Sequence, residues 1–260
     1  MTAAGVMTPI DALGYLTALL LGLAVGSFLN VVADRVPRGE SAVTPPSHCA
    51  SCGRVLAPLE LIPLVSYVVL RGRCRTCKAS IGLRVLLVEI GGAVIALLVW
   101  RMYGPTLTCL IGAIYGWAFL VLSVIDIEHH RVYGLILVPV MVFALITAPF
   151  WAGLVGAIAG AAVAFLPYAL LYVIAGRIYG KGKGLGLGDV KVAVLMGLVA
   201  GFPGAIVALY VAILAGGVVA IVVVVSGRRR RKDALATVPL LAIGALAGVL
   251  WSSGYLPFGR

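Results

Sequence analysis

Charge is what this sequence has least of. Of 260 residues only 11% are Asp, Glu, Lys or Arg, against 62% hydrophobic. A soluble domain needs far more charge to cover its water-facing shell, so a soluble fold is excluded and a polytopic helical membrane protein is expected. Cysteine is sparse too. Four of the five form two pairs in one polar segment, and Cys109 stands alone in an apolar run, where it reads as a small buried apolar residue. No secretory signal is expected: no Lys or Arg precedes the first apolar run, Ala12 to Val32, and ADRVPRG follows it in place of a small-residue cleavage site. That run reads as a first transmembrane helix with its N-terminus outside. The sequence shows no clear internal repeat and no glycine-rich nucleotide fold. The thirty-three glycines that are present suit close helix packing in lipid.

Hydropathy and turn residues divide the rest. A polar segment, Ala33 to Gly82, holds five of the thirteen prolines and the paired cysteines. Further apolar segments are expected at about Leu83–Tyr103, Thr106–Ile125, Leu135–Ala148 with a turn at Pro149, Trp151–Ala175, a short one at Val190–Ala200, Ala205–Val225 and Ala234–Ser252. The expected fold is therefore an all-α polytopic membrane protein of about eight transmembrane helices. A small cytoplasmic zinc-binding domain lies between the first two, for reasons given below. The segments are 1–32, a first transmembrane helix; 33–82, the zinc-binding domain; and 83–260, a seven-helix membrane domain.

Lys and Arg orient it. With the N-terminus outside, 18 of the 20 basic residues fall on one side, leaving only Arg101 and Arg260 on the other. This imbalance accounts for the net charge of +11 as topology signals and contacts for anionic membrane lipid, without nucleic acid. It sets the paired cysteines, Asp126 and Asp189 on the cytoplasmic side of a multi-pass cell-membrane protein.

Two carboxylates stand out. Asp126 ends one apolar segment, and Asp189 opens another after the glycine-rich run GLGLGDVK, residues 184–191. The topology puts them at the same depth, though 63 positions separate them in the chain. Two aspartates sharing a site cannot both ionise easily; one keeps a proton and the other polarises water, which allows amide hydrolysis without a metal or nucleophile. The same residues are also compatible with a helix cap or with an ion or proton path. Gly186 and Gly188 would leave room for an extended substrate backbone beside Asp189. Lys191 would steer a substrate carboxylate or simply mark the cytoplasmic side. Glu89, about two turns into the second apolar segment, is read either as a packing contact or as a substrate or cofactor contact. Glu128, His129, His130 and Arg131 read as a solvated link, with the histidines near enough to Asp126 to tune its protonation.

Cys49-Ala-Ser-Cys52 and Cys74-Arg-Thr-Cys77 are two CxxC pairs with 21 residues between them. Four thiolates at this spacing suit a closed, structural Zn²⁺ site, and Gly53 and Lys78 follow the pairs as in zinc-ribbon knuckles. Disulfides are the alternative, disfavoured in a reducing cytoplasm. His48 is a neighbour that would substitute as a ligand only in place of a cysteine.

These motifs carry a resemblance. GSFLNVVADRVPRG (26–39), the CxxC…CxxC segment, LELIPLVSYVVLRGRCRTC (59–77) with Glu89, SVIDIEHHRV (123–132) and GLGDVK (186–191) occur in the order of the type IV prepilin peptidases. Those are the bifunctional leader peptidases and N-methyltransferases of pilus and type II secretion systems. The resemblance implies an aspartic endopeptidase in which Asp126 and Asp189 are catalytic and Gly186 and Gly188 belong to a GxGD signature. It implies prepilin or pseudopilin substrates, cleaved between a basic leader and an apolar helix. S-adenosylmethionine would then methylate the new N-terminus, with no methyl-donor residues assignable. One departure is Val132-Tyr133-Gly134, where the family usually has an Ile-Pro-Asn or Leu-Pro turn. A peptidase without methylation, and an ion or solute transporter, are the alternative functions. Oligomeric state is not legible.

Overall fold

The computed structural model describes residues 9–180, 185–226 and 236–254. Lys181 and Lys183, and the basic run Arg228 to Lys232, lie outside them. The chain falls into two compact units, Met1–Val121 and Leu122–Arg260. Among the described residues the structure is helical, with two isolated β-bridges as the only extended pairings.

The first unit is built on α1 (Pro9–Arg35) and α3 (Leu83–Tyr103), which pack along their lengths, and takes in the start of α4 (Leu107–His129). Gly22 and Gly26 of α1, four apart, face Gly92, Ala93 and Glu89 of α3. A Cβ on Gly26 would lie 2.7 Å from the Glu89 Cα, so only a bare backbone permits this approach. That is the small-residue route by which helices associate in lipid, where there is no hydrophobic drive between them. Trp117 donates its indole N–H to the Gly92 carbonyl at 3.0 Å and ties α4 to the same seam. Between α1 and α3 lies the polar segment, with one short helix, α2 (Val65–Val69).

The second unit holds the end of α4, then α5 (Gly134–Trp151), α6 (Leu154–Tyr179), α7 (Leu187–Ala200), α8 (Gly204–Val225) and α9 (Val238–Ser252). α7 is the inner member, packed by α5, α6, α8 and α9. Nearly all of it beyond the first turn is buried, from Val190 through Ala200. It meets α6 through glycines: a Cβ on Gly197 would lie 2.7 Å from the Gly160 carbonyl carbon. α8 and α9 close on each other the same way, through Gly204 and Gly248.

Among the described residues there are thus eight apolar helices beside the short α2. Six of them (α1, α3, α4, α5, α6 and α8) are long and apolar enough to cross a membrane. α7, at 14 residues, and α9, at 15, are the short ones. At about 1.5 Å per residue they reach only about three-quarters of a bilayer core of about 30 Å. Their ends therefore sit where backbone and polar groups need partners from the protein. Outward faces are apolar, as on α8, where Ile206, Tyr210, Ile213, Leu214, Val218, Ile221 and Val222 are exposed. The turn expected at Pro149 is displaced: α5 runs through that proline to Trp151, and the chain breaks at Gly153, whose φ of 73° ends the helix. Proline continues a helix when lipid or neighbouring helices leave the backbone no alternative partner.

Candidate active site and metal centre

The paired cysteines form two copies of one knuckle. In each, the backbone N–H of the residue after the second cysteine donates to the first cysteine's carbonyl: Gly53 to Cys49 at 2.9 Å, and Lys78 to Cys74 at 3.1 Å. Each is closed by a bridge, His48 with Val55 and Arg73 with Ser80. Both turns need a left-handed residue, filled by Gly53 at φ 69° and Lys78 at φ 60°. The four Sγ atoms lie within 4.8 Å of one another, and Cys49 and Cys77 are 3.8 Å apart. Tetrahedral Zn–S bonds of about 2.3 Å require S···S spacings of about 3.8 Å, so the cluster fits a metal ion held by these four thiolates. His48 turns its Nδ1 to the Pro46 carbonyl at 3.1 Å, away from a ligand role.

The surrounding groups divide the thiols. Backbone N–H groups of Cys77 and Thr76 lower Cys74 to about 6, and those of Cys52 and Ser51 lower Cys49. At Cys77 the Ala79 N–H favours the thiolate but is outweighed by desolvation and by the neighbouring sulfurs, which raise it to about 11. Four sulfurs this close cannot all ionise unaided; a bound cation supplies the missing charge. The segment is braced by a two-pronged Arg54–Glu60 pair at 2.7 and 2.9 Å. The Arg54 guanidinium, and then the Ala57 N–H, hold the Glu60 carboxyl at about 2.

Glu89 is buried on α3 and accepts the Leu64 N–H at 2.7 Å. Leu64 precedes α2 with φ 62°, a left-handed conformation that leaves its N–H no helical partner. Glu89, read either as a packing contact or as a substrate or cofactor contact, here anchors the start of α2. Arg71, Arg73, Arg75 and Lys78, with Val69, Leu70 and Cys74, line a cavity of about 520 Å³.

The second unit assembles the carboxylates. Asp126 lies one turn from the end of α4 and is 4% exposed. One of its oxygens accepts the Val238 N–H at 2.9 Å. Asp189 is the third residue of α7 and half-buried. It closes its own helix start by accepting the Gly186 N–H at 2.8 Å, and its other oxygen accepts the Thr237 hydroxyl. The two carboxylates lie within reach of each other's charge. Tyr168 of α6, buried, also lies within the field of Asp189, and His130 within that of Asp126. Glu128, His129, His130 and Arg131 are exposed, as expected of a solvated link, although α4 extends through His129.

Gly188 is pressed against this link: a Cβ there would lie 2.9 Å from the Val132 Cβ. The bare face is filled by a side chain of the protein, and the close approach brings the first turn of α7 against the chain leaving Asp126. Tyr133 then caps α5 in an extended conformation. Gly186 contributes its N–H to Asp189, and Lys191 is exposed.

Thr237 and Val238 were not among the expected site residues. The last helix is expected from Ala234, with both residues inside it, whereas α9 begins at Val238. A threonine followed by Val-Pro is a helix-start signal, with a capping residue first and proline in the first turn. Weighed against the apolar run, it would have put both residues at a helix end.

Comparison with known proteins bears on the family of the chain. A family model described as the bacterial peptidase A24 N-terminal domain matches residues 20–103, and one described as the type IV leader peptidase family matches residues 113–221. Prepilin leader peptidase/N-methyltransferase from Pseudomonas putida is 33% identical over 262 residues, covering 90% of this chain and 89% of that protein. The protein of that name from Pseudomonas aeruginosa is 30% identical, covering 91% and 90%, and that from Bacillus subtilis 28% identical, covering 92% and 95%. No solved structure matches the chain. A membrane-type helical chain with a cysteine cluster and two facing aspartates, matched over most of its length, belongs to the type IV leader peptidase family.

Proposed function

We propose that the chain is a membrane aspartic endopeptidase that removes the basic leader of type IV prepilins or pseudopilins at the cytoplasmic edge of the cell membrane, and then methylates the new N-terminus. The observation that carries the cleavage is the meeting of Asp126 and Asp189, from helices remote in sequence, at the start of α9. One carboxyl holds a proton while its ionised partner takes a proton from water, and the hydroxide adds to the scissile carbonyl carbon. The protonated carboxyl hydrogen-bonds the carbonyl oxygen as its charge grows. Proton return to the amide nitrogen releases the leader's carboxylate and the free amine of the mature chain.

The same reading places the N-terminus outside and the cysteine segment in the cytoplasm, on the strength of the Lys and Arg distribution. Cys49, Cys52, Cys74 and Cys77 would hold zinc, which there supplies folding energy to a segment too small for a core. Gly186 and Lys191 would lie along the substrate backbone, whereas the bare face of Gly188 is taken by Val132, and the leader and apolar helix of the prepilin would straddle the pair. S-adenosylmethionine would be the methyl donor. The cavity beside Cys74 does not fit it well: its polar lining is four cations, with nothing for the donor's ammonium and sulfonium charges. We assign no residues to it and derive no step through it.

Co-expression with a full-length prepilin tests this, reading mass and N-terminus of the product. Leader loss plus about 14 Da on the new N-terminus is the expected result. Cleavage without the added mass would leave the peptidase and remove the methyl transfer. Full processing by Asp126→Asn or Asp189→Asn would remove the peptidase assignment.

A further inference from the structure

We propose that the Thr237–Val238 turn is the positioning element of the peptidase pair, holding the two carboxylates in register with each other. The proposal rests on the reading of Asp126 and Asp189 as the cleaving pair. Two successive residues serve two carboxylates: the Thr237 hydroxyl donates to Asp189, and the Val238 backbone N–H donates to Asp126 at 2.9 Å. Among the described residues neither aspartate has an ion-pair partner, so these neutral donors are what fixes them from outside their own helices.

The local chemistry of the turn is spent on this task. A threonine before a helix ordinarily turns its oxygen back to an N–H of the first turn. Thr237 occupies that position and makes no such bond; its hydroxyl points to Asp189. Pro239, next in line, has no N–H to satisfy. The Val238 N–H donates to Asp126 and the Thr237 N–H acts on the same carboxylate; Val238 is fully buried, so no water competes for its N–H. The helix that starts here adds partial positive charge beside two anionic groups, which eases holding them close. α9 in turn packs on both α7 and α8, so the turn is set by the bundle and not by a mobile loop. Asp189 is held from the other side by Gly186, which leaves the Thr237 bond to define where its carboxylate faces.

The test uses the full-length protein in proteoliposomes with a full-length prepilin. Thr237→Val keeps the shape and removes the donor. Loss of one hydrogen bond to a charged group is expected to lower kcat about 10- to 100-fold, with KM changed by no more than about twofold. Thr237→Ser, which restores the hydroxyl, is expected to recover kcat to within about threefold. If Thr237→Val fails to accumulate in the membrane, Thr237→Ala, which adds no bulk, carries the same expectation. Unchanged kcat, a loss confined to KM, or no recovery in the serine variant would each overturn the proposal. Asp189→Asn is run beside them. If it cleaves at the full rate, the reading of the pair fails. If it is inactive while Thr237→Val is unchanged, the positioning role alone fails.

Discussion

The cysteine cluster and the aspartate pair are built in opposite ways. The cluster draws its four sulfurs from residues 49 to 77, in two knuckles that each close on their own hydrogen bonds. The pair joins side chains 63 positions apart, and the turn that holds them lies 112 positions beyond Asp126 and 48 beyond Asp189. In the first, local backbone geometry positions the ligands and a cation would supply the cohesion. In the second, three helix ends converge, and cohesion comes from the packing of α7 against its neighbours. A locally built site tolerates change elsewhere; a convergent one depends on every helix that feeds it.

The largest expected effect breaks the convergent site at its chemistry. Asp126→Asn or Asp189→Asn is expected to lower leader cleavage by about 10³-fold or more, since neither amide can hold or take the proton. Membrane abundance, read by immunoblot, is expected to hold: at position 126 the Asn oxygen still accepts from the Val238 N–H, and at position 189 it accepts from the Gly186 N–H while its NH2 donates to the Thr237 hydroxyl oxygen. The contrast would collapse if an Asn variant retained half its rate.

Next comes the local site. Cys74→Ser is expected to remove about one equivalent of bound zinc, since a closed site needs all four thiolates, and to make residues 33–82 the first point of proteolytic cutting. If the site is built locally, cleavage by the aspartates is expected to fall by no more than about tenfold. Metal analysis, limited proteolysis and the cleavage assay on one preparation decide it. A loss of cleavage as complete as that of Asp126→Asn would show that the two regions act as one.

This difference in construction also governs what the sequence revealed. The cysteine site was legible because CxxC spacing fixes a knuckle locally, down to the left-handed residues Gly53 and Lys78. Asp126 and Asp189 were legible because a carboxylate at the edge of an apolar run is costly and so conspicuous. Charge counting then placed them at one depth. Thr237 and Val238 were not legible as site residues: a hydroxyl and a backbone N–H carry no compositional signal, and their role exists only once α9 packs on α7. Glu89 was conspicuous for the same reason as the aspartates, yet it serves the backbone of Leu64. Burial of a carboxylate signals that it has a partner without saying which. The Pro149 boundary was misplaced because a turn signal learned from water-exposed chains is overridden inside apolar surroundings.

A smaller effect probes how close the convergent site must be. Gly188→Ala would set a Cβ 2.9 Å from that of Val132, and the link carrying Val132 must then shift. The expected loss is about tenfold in cleavage rate, in line with the 1–3 kcal/mol typical of overpacking. Val132→Gly should recover much of it in the double variant, because it removes both the Cβ at 2.9 Å and the Cγ2 at 3.0 Å. Rates that multiply as independent losses would mean that Gly188 is needed for the substrate and not for this contact.

The smallest effect sharpens the local site, by exchanging what differs between its two knuckles. Gly53 and Lys78 share one backbone conformation, at φ 69° and 60°. Nothing lies within 4 Å of a Cβ on Gly53, so Gly53→Ala adds no clash and isolates the backbone cost. That cost is about 1 kcal/mol for a left-handed alanine, or about fivefold in zinc retention against a chelator. Lys78→Gly removes the same strain but frees the unfolded chain, and the two terms oppose each other. Its net gain is therefore expected to be no more than about 0.5 kcal/mol, roughly twofold. The signs should be opposite and the alanine effect the larger. Equal and opposite shifts would mean that the Lys78 side chain adds nothing to its knuckle, and a loss at both positions would mean that it supports the knuckle.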